Sequence, residues 1–200
     1  MPCEDRYTTV AIALHWAIAF MVLANIATGV GHEWVARETA RPMMWWHKSF
    51  GITVLFLTAL RVLWRLLHKP PPLPADMPRW EVWLARATHW GFYALLIALP
   101  VTGWVFQSTS PRGNPIPFYG LQWPFLPGLH ELPMDQRKAI TGQWAGYHEA
   151  LAWVAYAMVA LHLAAALKHW LVNRDNVMRH MIPALKERRP VAKAPEKTAV

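Results

Sequence analysis

Four histidines, His15, His47, His148 and His162, stand inside stretches apolar enough to cross a bilayer. An ionisable side chain at that depth costs free energy unless the interior of a helix bundle uses it, so such residues are functional candidates by default. Imidazole is the commonest metal ligand among side chains. Two imidazoles on opposite sides of a haem iron leave no open position for oxygen, so a paired set favours one-electron transfer over oxygen chemistry.

The spacing supports pairing. The first helix runs outward and puts His15 about two turns from its inner start, at 3.6 residues per turn. The second runs inward from about Met43, with His47 near the outer face, and the fourth runs inward from about Thr141, with His148 near the outer face and His162 deeper. Depth alone therefore pairs His47 with His148 and His15 with His162. The 14 residues between His148 and His162 rotate the chain by only about 40° and advance it about 21 Å, so both face one side of one helix. That arrangement suits two stacked b-type haems, one helix offering a ligand to each iron and two other helices closing the opposite positions. A single histidine on an apolar face is more often a packing residue; four on three helices at matching depths are hard to obtain that way.

The elements that must position these residues are transmembrane helices. Of the 200 residues 54% are hydrophobic, 16% are charged and 13 are Trp, a composition foreign to soluble domains of this size. Weakly charged runs recur over Ala11 to Val30, Ser49 to Leu60, Ala87 to Val105 and Ala150 to Leu167. Each extends to the roughly 20 residues that span a hydrocarbon core. Lys48, Arg61 and Arg65 flank the second run, where long basic side chains can snorkel to the interface. The expected fold is all-α, a bundle of four transmembrane helices over about 8–31, 43–67, 82–107 and 143–172, within one domain of residues 1–182. The length leaves no room for a separate globular enzyme domain, and the first span, long and carrying His15, reads as retained and not as a cleaved signal.

Basic residues orient the bundle. Arg65, Lys69, Arg79 and Arg86 lie between the second and third spans, and Arg174, Arg179, Lys186, Arg188, Arg189, Lys193 and Lys197 follow the fourth. The positive-inside rule then puts both termini in the cytoplasm. The same distribution explains the net charge of +8 through topology and anionic lipid, without a nucleic-acid partner. With Cys3 as the single cysteine, an internal disulfide, a covalent c-type haem and a cysteine-held iron–sulfur cluster are all excluded.

Lys69 to Pro78, KPPPLPADMP, reads as a stiff linker, and Gln107 to Gly142 as a long Pro- and Gly-rich connection of the kind that forms functional caps. The basic tail 183–200 is expected to be disordered. His89, early in the third helix, and His169, two turns beyond His162, lie nearer the inner surface and suit the binding or protonation of a quinone headgroup. His32, His68, His130 and His180 fall in or beside loops. Most tryptophans cluster near span ends as an interfacial belt, and Gly29, Gly51, Gly91 and Gly103 permit close approach of a helix or a porphyrin.

LHW at Leu14 to Trp16, WHKSFG at Trp46 to Gly51, THWGFYALLIALPVTG at Thr88 to Gly103, RGNP at Arg112 to Pro115 and YHEALAWVAYAMVALHLAAALKHW at Tyr147 to Trp170 carry a resemblance to the bacterial cytochrome b561 family, most like its superoxide oxidase members. It extends from about Tyr7 to Pro183. The resemblance implies that His15, His47, His148 and His162 are the haem axial ligands, and that His89 and His169 lie toward a quinone.

The expected function is that of a di-haem cytochrome b of the bacterial inner membrane, holding two non-covalent haem b. It would pass electrons between an outer-face donor and the quinone pool, ubiquinone or another quinone. In the superoxide oxidase version superoxide is that donor, and Lys48, Arg112, Arg137 and Lys138 steer the anion inward. One alternative makes the chain the cytochrome b subunit of a membrane dehydrogenase or hydrogenase, fed by a periplasmic partner. Another, of a different class, has the histidines line an ion or proton path in a transporter without haem.

Overall fold

The computed structural model describes residues 6–72 and 77–185. Four long helices dominate it: α1 (Thr9–Gly31), α2 (Arg37–Leu67), α3 (Arg79–Thr109) and α4 (Met134–Leu167). Each is long and apolar enough to cross a membrane, as the hydropathy of the sequence led one to expect. Helix α1 packs on α2, α2 on α3 and α3 on α4. Phe20, Leu23, Phe56, Leu60, Trp153 and Leu161 face outward, the disposition required when the solvent is hydrocarbon.

Three helices are longer than their apolar runs. Helix α2 begins at Arg37 instead of about residue 43, because the polar residues of its first turns form helix as readily outside the hydrocarbon as apolar ones do inside it. Pro42 there costs the backbone bond to Glu38 only. Helix α3 starts at Arg79, directly after Pro78. Helix α4 starts at Met134 and not near residue 143, with Pro133 before it and Asp135 in its first turn, where a carboxylate complements the helix dipole. The end of the connection expected to be loop is therefore helical.

The rest of that connection is an ordered cap. A two-stranded antiparallel hairpin, β1 (Ile116–Phe118) and β2 (Leu121–Trp123), turns through Tyr119 and Gly120, both at positive φ as a two-residue hairpin of this hand demands. It docks on α2. The fully buried Ser49 hydroxyl lies 3.2 Å from the Pro117 carbonyl and accepts from the Tyr119 amide, while Tyr119 Oη and Thr53 Oγ1 share a hydrogen bond of 2.9 Å. On the other side Trp104 Nε1 donates to the Pro124 carbonyl and Ser108 Oγ accepts the Leu126 amide. Arg137, only 8% exposed, closes the cap by donating to the carbonyls of Thr109 and Ser110, orphaned by the end of α3.

At the opposite end of the bundle α4 widens into a π turn, Lys168–Asn173, and leaves through Arg174 in the left-handed region. A 3-10 turn, Met178–His180, follows, and Trp16 Nε1 donates to the Met181 carbonyl at 2.8 Å, strapping this segment across α1. The expected linker lies partly, at 73–76, and the expected tail, from residue 186, outside the described residues, as does Cys3.

Candidate functional site

The four span histidines meet two by two, in the pairing that depth predicted. His47 of α2 faces His148 of α4 with ring centroids 6.2 Å apart and planes at 79°. His15 of α1 faces His162 of α4 at 6.3 Å and 66°. The end carrying His47 and His148 lies under the hairpin cap and is called outer, following the orientation read from the charges.

The outer pair is held by backbone. His47 Nδ1 donates to the Asn25 carbonyl at 3.0 Å, and His148 Nδ1 to the Leu99 carbonyl at 2.9 Å, which also accepts from Thr102 Oγ1. A proton committed on Nδ1 fixes the tautomer, leaving the Nε2 lone pair as a metal donor and raising its basicity. Glycines make room for both rings. A Cβ on Gly29 would sit 2.8 Å from two atoms of the His47 imidazole, and one on Gly103 would sit 3.3 Å from His148. Of the four glycines singled out in the sequence these two cradle the site, whereas Gly91 meets Met158 and Gly51 meets Asn25.

The inner pair is held by rings. Trp16 meets His15 edge-on at 5.3 Å, and Phe92 meets His162 at 5.5 Å. Among the described residues neither imidazole takes a protein hydrogen-bond partner.

This geometry fits a metal porphyrin between each pair. Two metal–nitrogen bonds of about 2 Å, plus roughly 1 Å from each donor nitrogen to its ring centre, put opposed imidazoles about 6 Å apart by centroids. No group of three or more His, Cys, Asp or Glu side chains converges among the described residues. Two ligands suffice for an iron whose other four positions a macrocycle fills, and fall short of what a bare transition ion takes from protein.

His89 and His169 are not brought into contact with each other. His89 Nδ1 donates to the Ala85 carbonyl of its own helix at 2.6 Å. His169 sits in the π turn, a distortion that recurs at functional sites, and its Nδ1 lies 2.6 Å from Asp175 Oδ2. Asp175 escaped the sequence reading. Its signal was faint, an acid six residues past a histidine beyond the helix, and the structure brings it back through the left-handed turn at Arg174 and the Asp175 amide bond to the His169 carbonyl.

Arg137 departs from expectation. Its guanidinium is buried and committed to carbonyls at the end of α3, so it acts as a clamp for the cap and drops out of the expected steering set of Lys48, Arg112, Arg137 and Lys138.

Comparison with known proteins gives the family of the chain. The family description of prokaryotic cytochrome b561 matches residues 6–184. The chain is 30% identical over 185 residues to cytochrome b561 homolog 2 of Escherichia coli (strain K12), covering 89% of this chain and 92% of that protein. It is 30% identical over 180 residues to the probable superoxide oxidase CybB of Yersinia pestis, covering 90% and 97%. Cytochrome b561 homolog 1 of Escherichia coli (strain K12) is 25% identical over 185 residues, covering 91% and 99%.

Proposed function

From the premise that the chain belongs to the prokaryotic cytochrome b561 family, and is thus a multi-pass, haem b-binding electron-transfer protein of a membrane, we propose that it is a di-haem superoxide:quinone oxidoreductase of the bacterial inner membrane. Both termini face the cytoplasm. His47 and His148 hold the outer haem, and His15 and His162 the inner. Bound there, the two haems would supply reversible one-electron redox chemistry.

The observation that carries this reading is the pair of facing imidazole sets, 6.2 and 6.3 Å by centroids, both served by α4. Carbonyls of Asn25 and Leu99 hold the outer imidazoles in the donor tautomer. At the outer face Lys48, within electrostatic reach of Arg112, draws in superoxide, which gives up one electron and leaves as oxygen. Two such events and two protons from the inner side convert quinone to quinol. His89 and His169 supply the quinone contacts, with Asp175 fixing the His169 ring by its 2.6 Å bond to Nδ1, which leaves Nε2 to hydrogen-bond a quinone carbonyl. The 30% identity to a probable superoxide oxidase supports the choice of donor.

The test is a reduced-minus-oxidised spectrum of the purified protein with haem quantified per chain, before and after a superoxide source, with and without added quinone. Two b-type haems reduced by superoxide and reoxidised by quinone are expected. Two haems indifferent to superoxide would reject the donor, and fewer than two would reject the di-haem assignment.

A further inference from the structure

At the inner end α1, α2 and α3 leave a small open cleft, about 30 Å³ in volume. Its wall carries Arg61, Arg65, His68 and Lys69 and no carboxylate. Arg61 and Arg65, four residues apart, share one face of the last two turns of α2, and His68 and Lys69 follow directly beyond its end. The ion pairs among the described residues, Lys168 with Glu81 and His169 with Asp175, involve none of them.

This basic wall is built into the fold and is no loose solvated face. Arg61 is half-buried and spends one donor on the Ala11 carbonyl at 2.7 Å, leaving four of its five. The Arg65 guanidinium carbon lies 6.0 Å from the Trp90 ring centre and 5.9 Å from that of Tyr93, a cation held against aromatic faces. Trp64 Nε1 donates to Thr8 Oγ1 at 2.9 Å and so fixes the wall between them. Charge neutrality of a helix C-terminus explains a cation in the last turn, but not a half-buried arginine nearly two turns back with spare donors. Guanidinium forks match phosphate oxygens, and this cleft opens where a helix leaves the hydrocarbon, at the level of lipid headgroups.

We propose that this cleft binds the phosphodiester of an anionic phospholipid headgroup, clasped by Arg65 and Lys69 with Arg61 behind them. Lipid binding here needs neither haem nor quinone, while Arg61 stands within electrostatic reach of His15 and His89, and Arg65 of His89.

Native mass spectrometry of the full-length protein with added phosphatidylglycerol or phosphatidylcholine tests it. Wild type is expected to retain phosphatidylglycerol in preference to phosphatidylcholine. The Arg65→Gln/Lys69→Gln variant is expected to hold it on the order of thirtyfold more weakly, at about fivefold per basic side chain near an anionic surface. Arg65→Lys/Lys69→Arg, which keeps the charge, is expected to stay within a few fold of wild type, and haem content to be unchanged in both variants. Equal retention of phosphatidylcholine, or an unaltered Gln variant, would overturn the site. Displacement of the lipid by excess inorganic phosphate would assign the cleft to free phosphate and overturn the lipid. Loss of haem in the Gln variant would assign the cations to the prosthetic group and overturn it too.

Discussion

The two imidazole pairs have nearly the same separation and quite different surroundings. The outer pair, His47 and His148, is fastened by carbonyls of two other helices, cradled by Gly29 and Gly103, and roofed by the cap, whose hairpin is held by Ser49, whose Leu126 amide is held by Ser108 and beside which Arg137 clamps the end of α3. The inner pair, His15 and His162, rests against Trp16 and Phe92 and lies near the basic cleft and the C-terminal strap. A site that meets a small diffusing anion needs a rigid floor and a shaped entrance. A site that serves a membrane-borne molecule needs access from the bilayer and a proton supply. On the proposed function, the same ligand chemistry is thus given two different jobs by what surrounds it.

The sharpest way to break the comparison is to remove one ligand from each pair. His148→Ala is expected to lose the outer haem and His15→Ala the inner one, each halving the haem per chain from two to one by pyridine haemochrome assay. Two haems retained in either variant would undo the pairing.

Next in size is Gly29→Ala, whose methyl would meet the His47 ring at 2.8 Å. Displacing an oriented ligand typically costs 10- to 100-fold in metal affinity, so outer-haem occupancy should fall steeply while the inner haem stays. Gly103→Ala, at 3.3 Å from His148, should do less. Spectra separating the two haems decide the matter, and an equal loss of both would deny that the glycines belong to the outer site alone.

Asp175→Asn probes the inner side only. It leaves the His169 ring a neutral partner, and quinone reduction should slow by roughly tenfold in kcat while haem content and reduction by superoxide remain as in wild type. A normal quinone rate would detach the His169–Asp175 pair from catalysis. The smallest effect is expected for Arg112→Gln, exposed at the outer face. The second-order rate with superoxide should fall about threefold and depend less on ionic strength, with quinone kinetics untouched. An unchanged salt dependence would remove Arg112 from the steering set.

Particular residues show how far the sequence could be read. His148 and His162 share a face because 14 residues are close to four whole turns, and any straight helix delivers that relation without tertiary information. The spans were legible because a hydrocarbon solvent permits little besides helix for such apolar runs. The Gln107 to Gly142 connection was not, because its hairpin depends on contacts with α2 and α3 about 70 and 20 positions away in the chain. Arg137 looked like a steering charge for the same reason: nothing local tells a solvated arginine from one buried against the end of another helix.

The residue order alone therefore determined the class, the number of spans, the membership in a family and the two-by-two matching of histidines by depth, since each follows from hydropathy or from the fixed rise and rotation of a helix. Only the tertiary structure decided that the rings face each other at 6.2 and 6.3 Å, that Asn25 and Leu99 hold the outer pair, that Asp175 returns to His169 and that Arg61, Arg65 and Lys69 line one cleft. Those facts depend on how helices lie against one another and on where the chain turns back. Such relations are set by packing between residues far apart in sequence, which no local period encodes.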